Sequence, residues 1–214
     1  MTALKYFRRF FSISLFVSTG LLLCANSSLA DTSSSSQAIV NKCSAQGYAQ
    51  LKLTNNVIVN GSFESPQIHG WSVFRRIKGW RTVSGPGIEI QADKVAGTPF
   101  HGLQHAELDS DANSVIEQMV LTQPLTDYCL VFAYSPRPDV GLESEGLRVW
   151  VNKKAVHEIK RSGLDLSDTH WEVVFVRIKT TASRKPTSLR FEPLGKSDSM
   201  GVYLDGVEMY AIRD

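Results

Sequence analysis

Two short stretches decide the fold, GIEIQ at residues 87–91 and HAELD at residues 105–109. Apolar and polar residues alternate in both, which is the pattern of a β-strand with one buried face. In the first stretch the two isoleucines share one face, and the glutamate and the glutamine share the other. In the second, an alanine and a leucine alternate with three polar residues. This alternation predicts a sheet that packs one face on a core.

Similar short segments follow one another along most of the chain. Runs rich in Val, Ile, Phe, Tyr and Trp are separated by clusters of Gly, Pro, Asn, Asp and Ser, and no stretch after residue 55 keeps a helical period for ten residues. The predicted strands are Asn56–Val59, Trp71–Phe74, Ile88–Gln91, His105–Leu108, Val115–Leu121, Tyr128–Tyr134, Leu147–Val151, Trp171–Ile178, Ser188–Pro193 and Val202–Tyr210. So many short strands in one domain predict an all-β fold, an antiparallel β-sandwich of the jelly-roll type.

The first thirty residues have the three parts of a secretory signal peptide. Basic residues at positions 5, 8 and 9 precede an apolar stretch, Phe11–Cys24, and Ser28–Ala30 supplies the small side chains of a cleavage site. The apolar stretch is short for a membrane span of ~20 residues. An uncleaved anchor and a lipoprotein attached through Cys24 are the alternatives. We predict a signal peptide at 1–30, a flexible leader and lead-in at 31–55, a jelly-roll domain at 56–214, and a secreted or periplasmic protein.

Charge and cysteine content narrow the classes of partner. The chain has 23 Lys and Arg against 21 Asp and Glu, and residues 1–30 hold three of the basic residues and none of the acidic ones. A nearly neutral mature chain does not predict binding to nucleic acid, and no further apolar run is long enough for stable insertion into a membrane. After cleavage Cys43 and Cys129 remain, and an oxidising compartment predicts a disulfide between them. Residues 38–53 fit either a short helix or an extended segment.

The polar faces of the two opening stretches carry the candidate binding groups. Glu89 and Gln91 lie on one predicted strand, and His105, Glu107 and Asp109 lie on the next. A solvated outer face of a sheet shows the same alternation, so the pattern leaves a solvated face and a polar groove open. The residue types favour a groove, because a plain solvated strand tends to carry Lys, Thr and Glu, whereas here a histidine, several carboxylates and an amide lie together.

Aromatic residues and one arginine complete the candidate site. Trp80 follows a glycine and precedes an arginine, so we expect it on a loop, partly exposed, where its indole would form an aromatic platform for a ligand. Trp71 and Trp171 are expected in the core, since large aromatic residues dominate the cores of sandwiches, although either could extend the platform. Arg137 lies between two prolines, which keep its backbone extended. It is either a ligand-binding group or a buried partner of a carboxylate in HAELD.

Several motifs occur in an order that resembles a known group of modules. They are VNGSFE (59–64), Gly70-Trp71, Gly79-Trp80, GIEIQ (87–91), GLQHAELDS (102–110), NSVIEQ (113–118), YSPRP (134–138) and GKSDSMGVYLDGV (195–207). Over residues 56–212 this series resembles galactose-binding-like, carbohydrate-binding-module jelly rolls. It is also similar to bacterial secreted modules related to the plant cell-wall DUF642 proteins. The resemblance implies a two-sheet jelly roll that binds a polysaccharide or another glycan.

The resemblance also implies a structural calcium ion where the first and last strands meet. The matching residues are Glu64, from the opening motif, and Asp205, from the closing motif. Calcium takes six to eight oxygen ligands, which two carboxylates, backbone carbonyls and water can supply. Alternatively, Glu64 caps a turn and Asp205 belongs to a Leu-Asp-Gly turn.

The sequence lacks the common motifs of catalysis. It has no Gly-x-Ser-x-Gly elbow, His-Glu-x-x-His helix or phosphate-binding glycine loop. Glu107 and Asp109 would lie ~7 Å apart on one strand face, near the separation that glycosidases use, so a glycan-active hydrolase is one alternative. An adhesin-like module that binds protein through loops Val95–Leu103 and Asp139–Gly146 is another. We predict a non-catalytic carbohydrate-binding module whose ligand-binding residues are Trp80, Glu89, Gln91, His105, Glu107, Asp109 and Arg137.

Overall fold

A computed structural model describes residues 42–213. The described elements are a short helix, α1 (Tyr48–Leu51), and the strands β1 (Trp71–Phe74), β2 (Arg76–Ile77), β3 (Trp80–Ser84), β4 (Ile88–Ala92), β5 (Gln104–Glu107), β6 (Val115–Val120), β7 (Asp127–Ser135), β8 (Leu147–Val151), β9 (Lys154–Ile159), β10 (Glu172–Lys179), β11 (Thr187–Pro193) and β12 (Tyr203–Ala211). The predicted signal peptide, its cleavage site and the serine-rich leader lie outside the described residues. Within 42–213, no helix has the length and apolar character needed to cross a membrane.

The strands form two antiparallel sheets. The front sheet has the strand order β1-β4-β5-β12-β7-β10, and the back sheet has the order β2-β3-β6-β11-β8-β9. The last strand, β12, lies between β5 and β7, so neighbours in the sheet are distant in the sequence, as in a jelly roll. The predicted antiparallel β-sandwich is confirmed.

The alternation in β4 and β5 builds the core between the sheets. Ile88, Ile90 and Ala106 are fully buried in it, together with Leu108 just beyond β5. Burying one isoleucine contributes about 1.5–3 kcal/mol. A slip of one residue would bring the apolar side chains to the outside, so this burial fixes the register. The polar residues of β4 and β5 therefore lie on the outer face of the front sheet.

The sequence pattern misses three strands and predicts one that does not form. β2 and β3 make a hairpin whose turn contains Gly79 at φ +80°. Because these strands are short and a glycine lies between them, the sequence of the hairpin is typical of a loop. β9 is a largely exposed edge strand that returns from β8 through Asn152 at φ 56°. Asn56–Val59 makes a single bridge to Tyr210. The Val59 N–H donates to the side-chain oxygen of Gln118, Oε1 (2.8 Å), instead of to the backbone carbonyl of a neighbouring strand.

Trp80 is a core residue, so its expected position on an exposed loop is wrong. It opens β3, is 1% exposed, and packs its ring against Phe63 and Phe191. The indole N–H donates to Asn60 O (3.0 Å), which satisfies its polar atom inside the core. We therefore remove Trp80 from the candidate ligand-binding residues.

The N-terminal part of the described chain covers one half of the outer face of the front sheet. Cys43 is bonded to Cys129 of β7, with 5.2 Å between the Cα atoms, so the predicted disulfide is confirmed. α1 follows and buries Leu51 against β7 and β12, and the Tyr48 ring meets Phe175 of β10 edge-on at 5.7 Å. The other half of this face, over β1 and β4, holds the candidate site.

Candidate ligand-binding cleft

Strand register brings the candidate side chains into two rows on the outer face of the front sheet. Trp71 of β1 is opposite Gln91 of β4, which is opposite His105 of β5. In the neighbouring row, Glu89 of β4 is opposite Glu107 of β5. The pairing that buries the isoleucines therefore also assembles these polar groups.

These polar residues are buried, which excludes a plain solvated sheet face. Glu89 is 8% exposed, and Gln91, His105, Glu107 and Asp109 are each 3% exposed or less. Buried polar groups need hydrogen-bond partners. A side chain whose polar atoms all have partners supports the structure, whereas one with an unbonded polar atom can bind a ligand.

Glu107 is the centre of a hydrogen-bond network. Its Oε1 accepts hydrogen bonds from Arg137 Nη1 (2.6 Å) and from the Gly201 N–H (2.9 Å), and its Oε2 accepts one from Gln91 Nε2. Gln91 Nε2 also donates to Glu89 Oε1 (2.9 Å). Arg137 thus has one of its two predicted roles, the partner of a buried carboxylate.

Burial and hydrogen bonding act on the Glu107 carboxyl in opposite directions. Burial raises its pKa to about 7, while the charge of Arg137 and the Gly201 N–H lower it. Burial also raises the pKa of Glu89. The network therefore joins one guanidinium to two carboxyls that titrate above their ordinary range.

An open cleft of ≈ 460 Å³ lies over Glu89 and Gln91. Trp71 lines it and is 63% exposed, so the expected core position of Trp71 is wrong. This residue belongs to β1, which is the edge strand of the front sheet among the described residues. Arg137 also lines the cleft, and so do Val95, Ala96, Ser110, Asp111 and Ser199. An exposed indole beside hydrogen-bonding side chains can stack on an apolar ring face and bind polar groups at its edge.

Two side chains of the cleft have a buried polar atom without a hydrogen-bond partner in the described chain. These atoms are Gln91 Oε1 and Ser110 Oγ. A buried polar atom left unbonded costs about 1–3 kcal/mol, so each needs a water molecule or a ligand. The amide nitrogen of Gln91 already donates to Glu89 and Glu107. Its oxygen is therefore an acceptor available to a donor of the ligand.

His105 lies on the same face but does not line the cleft. Its ring packs on Tyr203 (4.6 Å between centroids) and on Trp171 (5.7 Å), and Trp171 Nε1 donates to Thr98 O (2.8 Å). Burial, assisted by the charge of Arg137, lowers the pKa of His105 to about 4. The predicted place of His105 in an open groove is therefore corrected to a covered, neutral imidazole. Trp171 is half-buried in this aromatic group.

Asp109 follows β5 and holds a loop. Its Oδ2 accepts a hydrogen bond from the Asp198 N–H (2.9 Å), and it is fully buried. The loop that follows Asp198 carries Ser199, which lines the cleft. Asp109 and Glu107 were the candidate acid–base pair of a hydrolase. Both carboxylates are closed to solvent and accept hydrogen bonds from the protein.

Glu64 and Asp205, the predicted calcium ligands, both hold the loop at residues 100–104. Asp205 Oδ2 accepts two backbone N–H groups of this loop at 3.0 and 2.8 Å, and Glu64 Oε1 accepts two others at 2.9 Å. Burial raises the pKa of Asp205 to about 8, and the charge of Glu64 adds to this rise. Among residues 42–213, no Lys, Arg or His forms a salt bridge with either carboxylate.

The chemistry of these two carboxylates fits a hard cation. Carboxylate oxygens are ligands that calcium prefers, and neither carboxylate has a basic partner in the described chain. Both oxygens of Asp205 and one oxygen of Glu64 already accept backbone N–H groups, so a cation would have to share or displace these donors. The same residues 42–213 contain no group of three or more His, Cys, Asp or Glu placed to hold a metal ion. Any further ligands would therefore be backbone carbonyl groups and water.

Comparison with known proteins finds similarity among solved structures. A scan against protein-family models finds no match, and neither does a search of curated proteins. A family 16 carbohydrate-binding module is 18% identical, with a TM-score of 0.47 over 72% of this chain and 99% of that one. The module TmCBM61, solved with β-1,4-galactotriose, is 14% identical, with a TM-score of 0.44 over 75% of this chain and 100% of its own.

The adhesin domain K2 of Lys-gingipain is also similar in structure, at 14% identity and a TM-score of 0.49, over 72% of this chain and 97% of the domain. These similar structures include carbohydrate-binding modules, the group that the ordered motifs resemble. At such identities the likeness concerns the fold.

Proposed function

We propose that this protein is an exported, non-catalytic carbohydrate-binding module that holds a glycan in the cleft beside Trp71. One observation carries the proposal, namely that the exposed Trp71 indole lies beside Gln91, whose buried Oε1 has no partner in the described chain. A sugar ring presents C–H groups to an indole face and hydroxyl groups to polar side chains, so it matches both features. Glu89 and Arg137 add charge-assisted hydrogen bonds.

Export and the absence of catalysis belong to the same proposal. Export is supported by the signal-like pattern of residues 1–30 and by a disulfide of the kind that persists in oxidising compartments. A binding role is supported by Glu107 and Asp109, since both carboxylates are closed to solvent and both accept hydrogen bonds from the protein.

A structural calcium ion is the third part of the proposal. Glu64 and Asp205 would hold it, and its charge would offset two carboxylates that have no basic partner among the described residues. The ion would then fix the loop at residues 100–104, which both carboxylates already bind. Its expected role is stability, because neither residue lines the cleft.

The test is binding to a panel of immobilised neutral, aminated and acidic glycans, followed by titration calorimetry on each ligand found. Trp71→Ala should weaken binding at least ten-fold, or about 1.4 kcal/mol. Trp150→Ala is the matched control, because this half-buried tryptophan lies on β8 of the back sheet. Wild-type affinity in Trp71→Ala, or lost affinity in Trp150→Ala, would place the site elsewhere. A wild-type protein that binds no glycan of the panel would refute the function.

An adhesin-like module is the second candidate. Val95, Phe100 and Leu103 are exposed apolar side chains of one loop beside the cleft, and exposed apolar groups that lie close together are typical of protein-binding surfaces. A glycan panel without any ligand would favour this candidate over the first.

A further inference from the structure

The cleft carries more negative than positive charge. Its lining includes two carboxylates, Glu89 and Asp111, and one cation, Arg137. The Arg137 guanidinium is already paired with the buried carboxylate of Glu107, at 2.6 Å. Glu89 and Asp111 form no salt bridge within residues 42–213. Three carboxyl groups, those of Glu89, Glu107 and Asp111, therefore share the one guanidinium of Arg137.

The cleft lining also offers uncharged hydrogen-bond acceptors. Gln91 is 97% buried and lines the cleft, and its Oε1 has no partner in the described chain, while its amide nitrogen donates to Glu89 and Glu107. The carboxylate of Asp111 adds acceptors and no donor. These acceptors favour a ligand that is rich in donors. A protonated amine has three donors, no acceptor and a positive charge.

The carboxylates also affect one another. Burial raises the pKa of Glu89 most, the hydrogen bond from Gln91 and the charge of Arg137 lower it, and the negative charges of Asp111 and Asp109 raise it. A cation bound between Glu89 and Asp111 would relieve this repulsion. A ligand carboxylate in the same position would add to it, because like charges disfavour ionisation at short distance.

We propose that the cleft selects glycans with protonated amino groups, such as de-N-acetylated hexosamine chains, and rejects chains of uronic acids. This inference rests on the proposed function and specifies its ligand class. The amine binds Glu89, Asp111 and the oxygen of Gln91, while the sugar ring stacks on Trp71.

Titration calorimetry with matched oligosaccharides tests the selection at about pH 6, where amines are protonated. The ligands are fully de-N-acetylated chitohexaose, fully N-acetylated chitohexaose, hexagalacturonate and a poly-lysine of similar length. We expect the de-N-acetylated chain to bind about ten-fold more tightly than the acetylated one, because hydrogen bonds to charged groups are about twice as strong as neutral ones. Hexagalacturonate should not bind, and salt should reduce the ten-fold preference.

Variants that remove one charge identify which carboxylates select the protonated amine. Glu89→Gln keeps the side-chain size, and Asp111→Asn changes an exposed residue. Each should bring the preference for the amine, which is the ratio of the affinities for the two chitohexaoses, down by about five-fold. Glu158→Gln is the control, since this exposed carboxylate lies on β9 of the back sheet. Unchanged preference in both cleft variants would overturn the inference.

The ligand set separates failure of this inference from failure of the proposed function. Equal binding of the two chitohexaoses would overturn the amine selection and leave glycan binding in place. Equal binding of poly-lysine and the aminated sugar would show attraction by charge alone and would also overturn it. A protein that binds neither these sugars nor any neutral glycan of the earlier panel would refute the proposed function itself.

Discussion

Removing the guanidinium of Arg137 should destabilise the protein much more at about pH 8 than at about pH 5. Arg137→Met keeps most of the side-chain length and removes the charge. The Glu107 side chain is 1% exposed and that of Arg137 is 27% exposed. Removing one partner of a buried ion pair costs about 3–5 kcal/mol. Because Arg137 is partly exposed, we expect the lower end, about 3 kcal/mol, near pH 8.

The pH dependence follows from the Glu107 carboxyl. Burial raises its pKa to about 7, above its ordinary value of 4.5. A raised pKa favours the folded state at low pH, and this contribution is lost as the pH rises through 7. Without Arg137 the pKa rises further, so near pH 5 the folded variant holds a neutral carboxyl. The loss there falls to that of hydrogen bonds, about 1 kcal/mol.

Urea unfolding followed by tryptophan fluorescence at the two pH values measures both losses. Arg148→Met is the matched control, because its partners Glu158 and Glu192 are 52% and 31% exposed, and an exposed pair contributes at most ~1 kcal/mol. Glu107→Gln added to Arg137→Met should recover part of the stability near pH 8, since it removes the unpaired charge. Equal losses at both pH values, or a control loss as large as that of Arg137→Met, would refute the reasoning.

Three further outcomes depend on buried bonds and charges. Replacing Cys43 and Cys129 with Ala should lower the free energy of unfolding by about 4 kcal/mol, since the bond spans 86 residues; a loss below ~1 kcal/mol in urea unfolding contradicts this. Burial raises the pKa of Glu145 to about 8, so the free energy of unfolding should fall as the pH rises from about 5 to 8 and this carboxyl ionises. Glu145→Gln should reduce that fall by about 2 kcal/mol. An unchanged dependence of stability on pH in this variant would contradict the role of Glu145. Calcium at a hundred times its Kd should stabilise the protein by about 2.7 kcal/mol, which would be measured as a rise in melting temperature. EDTA and the substitution Asp205→Asn should each abolish this rise. If calcium still raises the melting temperature of Asp205→Asn, Asp205 is not a ligand.

The fold could be predicted because its cause is local. Alternating residues in β4 and β5 decide which side chains meet the core, and this alternation is visible in the sequence alone. The rows of polar groups follow from the same alternation, so the cluster of Glu89, Gln91 and Glu107 could be predicted as well. Their burial could not, because it depends on Arg137 and on the Gly201 N–H, which belong to distant loops.

Trp71 and Trp80 show that local sequence does not determine whether a tryptophan is buried or exposed. Trp80 follows a glycine and was expected on an exposed loop, but the short β2–β3 hairpin turns its ring into the core. Trp71 was expected in the core, but it belongs to the edge strand and faces outward. Asp111 and Ser110 also reach the cleft from a loop, and no periodicity marks them as lining residues.

The location of the cleft follows from what covers the front sheet. Residues 42–54 and the disulfide cover its outer face over β7 and β10, and Trp171 covers His105 on β5. Over β1 and β4 the face stays open, and there Trp71 exposes most of its ring. An exposed aromatic side chain on an edge strand contributes little to folding and favours unwanted association. A ligand that stacks on the Trp71 ring covers this apolar surface and prevents such association. Because Trp71 lies outside the core, loss of glycan binding in Trp71→Ala would report on the ligand contact itself rather than on the stability of the sandwich.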